Sequence, residues 1–353
     1  MEVTIMRNVT HRFGLLTLPL LLSIATGCAS DKAIIAQAVD AHGQIEPAVI
    51  TDRDLAGYIQ DIGDRVVDVA KELDEQGYGP KITKGKDNAW MFEGVRFHLV
   101  NSPTLNAFTT GGQHVYLYSE LFTQSKTEDE FAAVVAHEFA HIYGRHVQKG
   151  TNRQYAVLGA AAAAAVGGYA LGGENREMMA GVAGGGALAA GQFLGMGFTR
   201  DDEDEADKLG FKFYTMAGWD PEHFPDFFKQ MIEKGHDKTP EIASSHPKLA
   251  NRVANAERRA KELPPTAEQW RRDNVASARQ FARYQDRARA LAKNAPKDRS
   301  LESAQLMLAA FPSCVAPEDL PEQKQAQSTV VKKLQADDAQ GEAPRKAKRR
   351  RAN

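Results

Sequence analysis

The sequence predicts an α+β fold that is mostly helical, with a small sheet and a helical C-terminal extension. Apolar residues recur at helical spacing along residues 51–76 and again along 127–150, which predicts two amphipathic helices. Two short segments, 95–100 and 115–118, are rich in β-branched and aromatic residues and are typical of strands. An Ala- and Arg-rich stretch at 266–311 returns to helical periodicity. This order favours one α+β domain followed by accessory helices.

The composition is that of an ordinary globular protein. Of the 353 residues, 42% are hydrophobic and 25% are charged, and the net charge is −2. This charge argues against a general polyanion binder, so we expect no nucleic-acid partner. The two cysteines, Cys28 and Cys314, are too few for a disulfide framework.

The N-terminus has the pattern of an export signal. Residues 1–27 carry basic residues and then an apolar run from Phe13 to Ala25, which is too short for a permanent membrane anchor. The segment ends in Ala25-Thr26-Gly27-Cys28, which resembles the lipobox of bacterial lipoproteins. That resemblance implies a lipid on Cys28 and, because Ala29 follows, a place on the periplasmic side of the outer membrane. The alternative is an ordinary cleaved signal peptide and a soluble periplasmic protein.

The segments between the predicted elements differ in composition. Residues 28–50 are small, polar and Pro-containing, which predicts a lipidated N-terminus and a tether. Residues 106–112 are rich in turn formers and predict a loop. Residues 157–197 are mostly Ala and Gly around a charged break, which favours a lid or packed hairpin over a membrane insertion. Pro247 predicts the first position of a later helix.

A metal-binding motif lies on the second amphipathic helix. Thr127 and Glu130 have the spacing of a capping box at its start. His137 and His141 in the sequence HEFAH lie one turn apart on the same helical face, so both imidazoles can reach one metal ion. Glu138, next to the first histidine, can take a proton from a water bound to that metal. A chance match in a structural lipoprotein is the alternative.

A catalytic zinc ion needs a third protein ligand. The three-histidine pattern of metzincins fits Gly144 but requires a histidine where the chain has Val147. His146 is one position short, which predicts a surface residue or one that supports a ligand. The third ligand is therefore expected elsewhere in the chain.

An acidic helix supplies that ligand. Glu203 and Asp207 are four residues apart and share one helical face, so one can bind the metal while the other accepts a hydrogen bond from a ligating imidazole. A cluster this acidic on one helix would repel itself, which suggests a cation nearby. The remaining acidic residues fit a solvated helical face: Asp201, Asp202 and Asp204.

The combination of motifs resembles the M48 peptidases, in their periplasmic lipoprotein branch. The motifs are Asn106-Ala107-Phe108 with Gly111-Gly112, HEFAH continuing to Arg145-His146, TRDDEDEAD at 199–207, and His246-Pro247 with Arg252. The resemblance covers roughly residues 50–262. It implies a zincin-like (gluzincin) domain with one Zn²⁺ held by His137, His141 and Glu203. It also implies Glu138 as general base and Asp207 as a residue that supports one of the metal ligands.

The resemblance also implies roles around the metal. His246 is expected as a fourth ligand or switch that blocks the water, and Arg252 is a candidate for stabilising the transition state. The segment around Val115, Tyr116, Leu117 and Tyr118 resembles an edge strand that binds substrate in extended form.

Together these features predict a zinc-dependent endopeptidase that acts on misfolded or stalled cell-envelope proteins. The alternative is a periplasmic chaperone or assembly factor for outer-membrane proteins with a latent protease site, and the outer-membrane assembly machinery is then a candidate partner. The expected organisation is a signal peptide at 1–27, a tether at 28–50, a peptidase domain at 51–262, a helical accessory region at 263–315 and a disordered basic tail at 316–353.

Overall fold

The computed structural model describes residues 30–77, 88–154, 156, 198–239, 247–272, 275–311, 322–323, 325–330 and 332. Its α-helices are α1 (Asp31–Ile45), α2 (Arg53–Glu75), α3 (Ser119–Gln124), α4 (Glu128–Tyr143), α5 (Arg200–Met216), α6 (Asp226–Glu233), α7 (Leu249–Lys261), α8 (Ala278–Asn294) and α9 (Arg299–Ala310). Its strands are β1 (Arg96–Val100), β2 (Ala107–Thr109) and β3 (His114–Tyr118). Residues 146–154 are also helical. The predicted fold class, mostly helical with a small sheet, is confirmed.

The sheet has the strand order β1-β3-β2. β3 pairs in parallel with β1 and antiparallel with β2. Because side chains alternate along a strand, the register divides the sheet into two faces. Phe97 and Val115 are on one face, and His98, Tyr116 and Phe108 are on the other.

Helices cover both faces of the sheet. On the first face, Phe97 of β1 meets Gly63 of α2 and lies 6.5 Å from the ring of Phe139 in α4, measured between centroids. On the second face, the Phe108 ring stacks on Phe311, just after α9, at 3.9 Å between centroids. The Tyr118 hydroxyl donates a 2.6 Å hydrogen bond to a carbonyl of α9. The sheet therefore separates α4 from the helices on its second face.

The predicted loop at 106–112 contains a strand, and this changes the position of β3. Ala107–Thr109 form β2, which pairs with β3 through three opposite residues. Val115, Tyr116, Leu117 and Tyr118 therefore belong to the central strand, and the prediction that they form an edge strand is wrong. The turn-rich sequence predicted a loop because the pairing that makes it a strand is contributed by residues further along the chain.

The predicted tether is also wrong over most of its length. Residues 31–45 form α1, which begins at Ser30, whose hydroxyl accepts a hydrogen bond from the Ala33 amide. Its Ile34 and Ile45 side chains are fully buried in the core. The small residues that suggested a flexible linker allow close packing instead. A Cβ on Gly112 would lie only 2.6 Å from the Ala38 Cβ, so the chain at Gly112 packs directly on α1.

Two helix starts differ from their predictions. α7 begins at Leu249, with Lys248 as N-cap, so Pro247 precedes the helix and does not occupy its first position. At the start of α4, a full capping box would have the Glu130 carboxylate accept from the Thr127 amide. It accepts from the Lys126 amide instead, at 2.6 Å. The Thr127 hydroxyl accepts from the Glu130 amide at 3.2 Å, as predicted.

The accessory helices pack on the same core as the predicted peptidase domain. Phe281 of α8 meets Phe122 of α3 edge to face, at 5.3 Å between ring centroids. The Gln285 side chain donates to two carbonyls at the end of α3, each at 2.8 Å. Residues 325–330 are helical with Val330 buried, so a disordered tail is wrong for this part of 316–353.

Among the helices of the described part, none has both the length and the apolar character needed to cross a membrane. The predicted signal peptide, Cys28, the Ala/Gly-rich stretch 157–197, Cys314 and the basic end of the chain lie outside the described residues.

Two glycines of α2 provide a matched test of this packing. A Cβ on Gly63 would lie 2.1 Å from the Phe97 ring, whereas a Cβ on the exposed Gly57 meets nothing within 4 Å. We expect Gly63→Ala to lower the free energy of unfolding by about 1–3 kcal/mol through overpacking. Gly57→Ala should raise it by about 0.5–1 kcal/mol through helix propensity. Urea denaturation measures both, and equal effects would contradict the described contact of α2 with the sheet.

Candidate metal centre

The helix that carries HEFAH is fixed at its start by a buried carboxylate. Glu128, the first residue of α4, is 2% exposed and accepts four hydrogen bonds. The donors are the Tyr58 hydroxyl at 2.7 Å, the Arg65 guanidinium at 3.2 Å, the Trp219 indole at 2.9 Å and the Ala276 amide at 2.9 Å. These donors come from α2, the segment just after α5 and the segment before α8. Glu128 therefore sets where α4 begins relative to three other parts of the fold.

α5 brings the acidic residues against α4. It starts with a full capping box, in which the Thr199 hydroxyl and the Asp202 carboxylate each accept from the other residue's amide. Asp202 is 4% exposed and pairs with Arg153 at 2.6 Å, so the predicted solvated face is wrong at this position. Gly210 permits the close approach of the helices, because a Cβ there would lie 3.0 Å from the His137 Cα.

Three potential metal ligands converge where α4 and α5 meet. The Nε2 atoms of His137 and His141 are 3.1 Å apart. The Glu203 carboxylate oxygens lie 3.5 Å from the His137 Nε2 and 3.9 Å from the His141 Nε2. The three residues are at most 2% exposed. Two ligands bound tetrahedrally at zinc distances are about 3.3 Å apart, so this donor set fits one small divalent cation.

Asp207 and Arg252 support the first histidine. The Asp207 Oδ1 lies 3.0 Å from the His137 Nδ1, and it also accepts from the Arg252 guanidinium at 2.7 Å. Burial would raise the pKa of Asp207, but Arg252 and His137 outweigh burial and keep it below its usual value. An ionised Asp207 accepts the Nδ1 proton of His137, which leaves the Nε2 lone pair directed at the site.

A second chain of contacts supports the second histidine. His146 is fully buried, with its Nδ1 2.8 Å from the His141 Nδ1 and its Nε2 3.1 Å from the Glu205 carboxylate. If Nε2 of His146 donates to Glu205, its Nδ1 accepts from His141, and the His141 Nε2 lone pair is then free for a metal. Of the two predictions for His146, support of a ligand is the one that the structure favours. Glu205 lies inside the 199–207 motif, but no role of its own was predicted for it.

The turn after α4 makes this arrangement sterically possible. A Cβ on Gly144 would lie 2.4 Å from the His146 Nε2, so only glycine leaves room for this imidazole. Arg145 has a φ of 53°, a left-handed conformation that is strained for a side chain of this size. Its guanidinium pairs with Asp31 of α1 at 3.1 Å, which offsets that strain.

The structure brings together most of the predicted site residues. His137, His141, Glu203, Asp207 and Arg252 meet in one place. Glu138, 1% exposed, follows the first histidine on α4. His246 lies outside the described residues, so its predicted approach to the metal stays a prediction. A small apolar pocket adjoins His137 and is lined by Ala133, Val134, Phe224, Phe227 and Phe228.

Comparison with known families identifies the chain. Residues 82–260, just over half of the chain, match the family described as Peptidase family M48. The chain belongs to peptidase family M48. This confirms the resemblance drawn from the motifs. The matched region runs from before β1 to the last turn of α7 and contains His137, His141, Glu203, Asp207 and Arg252.

The curated relatives of this M48 chain are named as peptidases. The beta-barrel assembly-enhancing protease of Yersinia pestis is 33% identical over 172 residues, which are 48% of this chain and 35% of that protein. The beta-barrel assembly-enhancing protease of Escherichia coli (strain K12) is 32% identical over 192 residues, which are 53% of this chain and 39% of that protein. The mitochondrial metalloendopeptidase OMA1 of Saccharomyces cerevisiae is 29% identical over 54% of each chain. The chain thus spans roughly a third to a half of these relatives.

The pair formed by His146 and Glu205 has a consequence for acid stability. The hydrogen bond from His146, together with one from Lys149, outweighs burial and lowers the pKa of Glu205 from 4.5 to about 2. A carboxylate with a depressed folded-state pKa stabilises the fold above its unfolded pKa, and that contribution is lost as the pH falls towards the folded pKa. We therefore expect Glu205→Gln to lower the free energy of unfolding by a constant amount above about pH 5, and by progressively less between about pH 4.5 and 2.

The measurement is urea denaturation of metal-free wild type and variant across this pH range, so that loss of metal does not contribute. A difference between the two proteins that stays the same down to pH 2.5 would contradict an ionised Glu205 held by His146.

Proposed function

We propose that this M48 chain is a zinc-dependent endopeptidase of the bacterial cell envelope. The observation that carries the proposal is the convergence of the His137 and His141 Nε2 atoms and the Glu203 carboxylate on one buried point, with Glu138 beside the first histidine on α4. Two imidazoles and one carboxylate are the donor set of catalytic zinc sites in metallopeptidases, and they leave one position for water.

Each surrounding residue then has a chemical task. A zinc ion held by this set would lower the pKa of its water and polarise the scissile carbonyl. Glu138 accepts the proton of the attacking water and passes it to the leaving amine. Asp207 and His146 fix the tautomers of the two ligating histidines. Arg252, which lies 3.3 Å from Glu203 and pairs with Asp207, holds both carboxylates in place. This positioning role fits its contacts better than direct stabilisation of the transition state.

The substrate would bind in extended form at a different strand from the one first expected. β3 has a neighbour on each side, whereas β2 is an edge strand that packs against α4. We therefore propose that the peptide adds to β2, by main-chain hydrogen bonds next to the metal centre. The apolar pocket beside His137 would accept an apolar side chain of that peptide.

The cellular setting rests on the N-terminal pattern and on the relatives. We propose export, with Cys28 lipidated on the periplasmic side of the outer membrane, and a soluble periplasmic form as the alternative. The names of the bacterial relatives refer to β-barrel assembly, which supports misfolded or stalled outer-membrane proteins as substrates and the assembly machinery as a partner.

Glu138→Gln tests the mechanism. The amide cannot accept the proton, so cleavage of a casein-like substrate should fall by about 10²–10⁴-fold. Zinc content, measured by atomic emission after dialysis, should be unchanged because the three ligands remain. Glu222→Gln, at an exposed position outside the centre, is the matched control and should cleave like wild type. Retained cleavage by the Glu138 variant would exclude this residue as the base.

An assembly factor with a latent protease site is the second candidate, favoured by the words assembly-enhancing in the relatives' names. In this case His246 would occupy the water position as a fourth ligand. His246→Ala should then raise the cleavage rate at saturating zinc several-fold, because it opens that position. His223→Ala, at an exposed histidine, is the control. An unchanged rate in the His246 variant would remove the switch from this proposal.

A further inference from the structure

Three histidines outside the peptidase centre meet on the second face of the sheet. His42 comes from α1, His98 from β1 and His114 from β3, and together we call them the His42 cluster. The first and the last of them are 72 residues apart in the sequence, and no motif links them. Each is partly buried, so solvent reaches the cluster.

The nitrogens of the cluster are as close as those of a metal site. The His98 Nε2 and the His114 Nδ1 are 2.9 Å apart. The three residues each offer one nitrogen within 4.8 Å of the others. The His42 ring stacks on the His114 ring at 4.5 Å between centroids and lies 4.7 Å from the His98 ring. Two nitrogens that bind one zinc ion tetrahedrally are about 3.3 Å apart, so the spacing of these two nitrogens is close to that of a metal site.

A fourth group orients the histidine on α1. The Tyr116 hydroxyl, on the same face of β3, lies 3.1 Å from the His42 Nδ1. If the His42 Nδ1 carries the proton and donates to the Tyr116 oxygen, the Nε2 lone pair of His42 is available to an ion. Hydrogen bonds of this kind hold ligating imidazoles in one orientation in metal sites.

We propose that the His42 cluster is a second metal site, selective for a late first-row divalent cation such as Zn²⁺. Imidazole nitrogens suit zinc, copper and nickel, and the absence of a carboxylate among the three ligands disfavours magnesium and calcium. Three histidines leave a fourth coordination position for water.

The electrostatic surroundings agree with neutral, ligand-ready rings. Burial, followed by the neighbouring His42 and His114, lowers the pKa of His98 to about 3, and burial with His42 lowers that of His114 to about 4. Two charged residues act on the cluster: Arg96 on β1 disfavours protonation, and Glu46 after α1 favours it at His42. Neutral imidazoles are the form that binds metal.

The cluster is separate from the peptidase centre. α4, with His137 and His141, lies on the opposite face of the sheet, where Phe97 meets Phe139. An ion at the His42 cluster would therefore not take part in peptide cleavage. It would instead bind α1 to β1 and β3, and so stabilise the position of the N-terminal helix on the sheet.

Zinc binding to the full chain tests the proposal. The proteins are wild type, the His42→Gln/His98→Gln double variant, His141→Gln in the peptidase centre, and His223→Gln as an exposed control histidine. Each is dialysed against excess Zn²⁺, and bound metal is measured by atomic emission. We expect about two equivalents in wild type and in the control, and about one in each of the other two.

The result distinguishes this proposal from the proposed peptidase. A single equivalent in wild type that disappears in the double variant would support the cluster and count against the peptidase centre. A zinc content that is the same in wild type and in the double variant, whether one or two equivalents, would overturn the second site.

A stability measurement gives an independent readout and guards against a variant that fails to fold. In the His141→Gln background, excess Zn²⁺ should raise the thermal unfolding midpoint relative to chelator, because the cation binds only the folded cluster. Adding the mild His42→Gln change, on the partly exposed face of α1, should reduce this zinc-dependent rise at least by half. An equal rise with and without His42 would overturn the proposal.

Discussion

The metal centre depends on the close approach of α4 to α5. Neither helix alone carries a complete ligand set, since the histidines are on α4 and Glu203 is on α5. The two helices come near enough because Gly210 has no Cβ where one would lie 3.0 Å from the His137 Cα. Asp207 on α5 then reaches the far nitrogen of His137 in the same contact. The short distance between the two helix backbones thus positions Glu203 as a ligand and also positions Asp207, which orients His137.

The local part of the fold could be predicted because its cause is local. Helical spacing gave α2 and α4, and the two histidines four residues apart had to share a face on any helix. The third ligand could be predicted on chemistry, because a catalytic zinc ion needs three protein ligands and Val147 cannot serve. The residue chosen among the acidic candidates, Glu203, followed from the resemblance, since spacing alone left it open with Asp207.

The remaining features could not be predicted because they depend on pairing across the chain. Ala107–Thr109 are a strand only because β3 follows and accepts them as its second neighbour. α1 is amphipathic only weakly, and its small residues suit both a linker and a tightly packed helix. His42, His98 and His114 come together through the parallel pairing of β1 with β3 and the packing of α1 on that sheet. A single sequence contains no periodic signal for such contacts.

The position of α1 limits how far a lipid on Cys28 would let the enzyme move. Only Ala29 stands between that cysteine and Ser30, the N-cap of α1. At about 3.5 Å per residue for a fully extended chain, α1 would begin no more than about 10 Å from the acylated residue. Asp31 at that point is paired with Arg145, in the turn that ends α4. If the proposed lipid is present, the start of α1 and the turn that ends α4 would therefore lie close to the membrane surface.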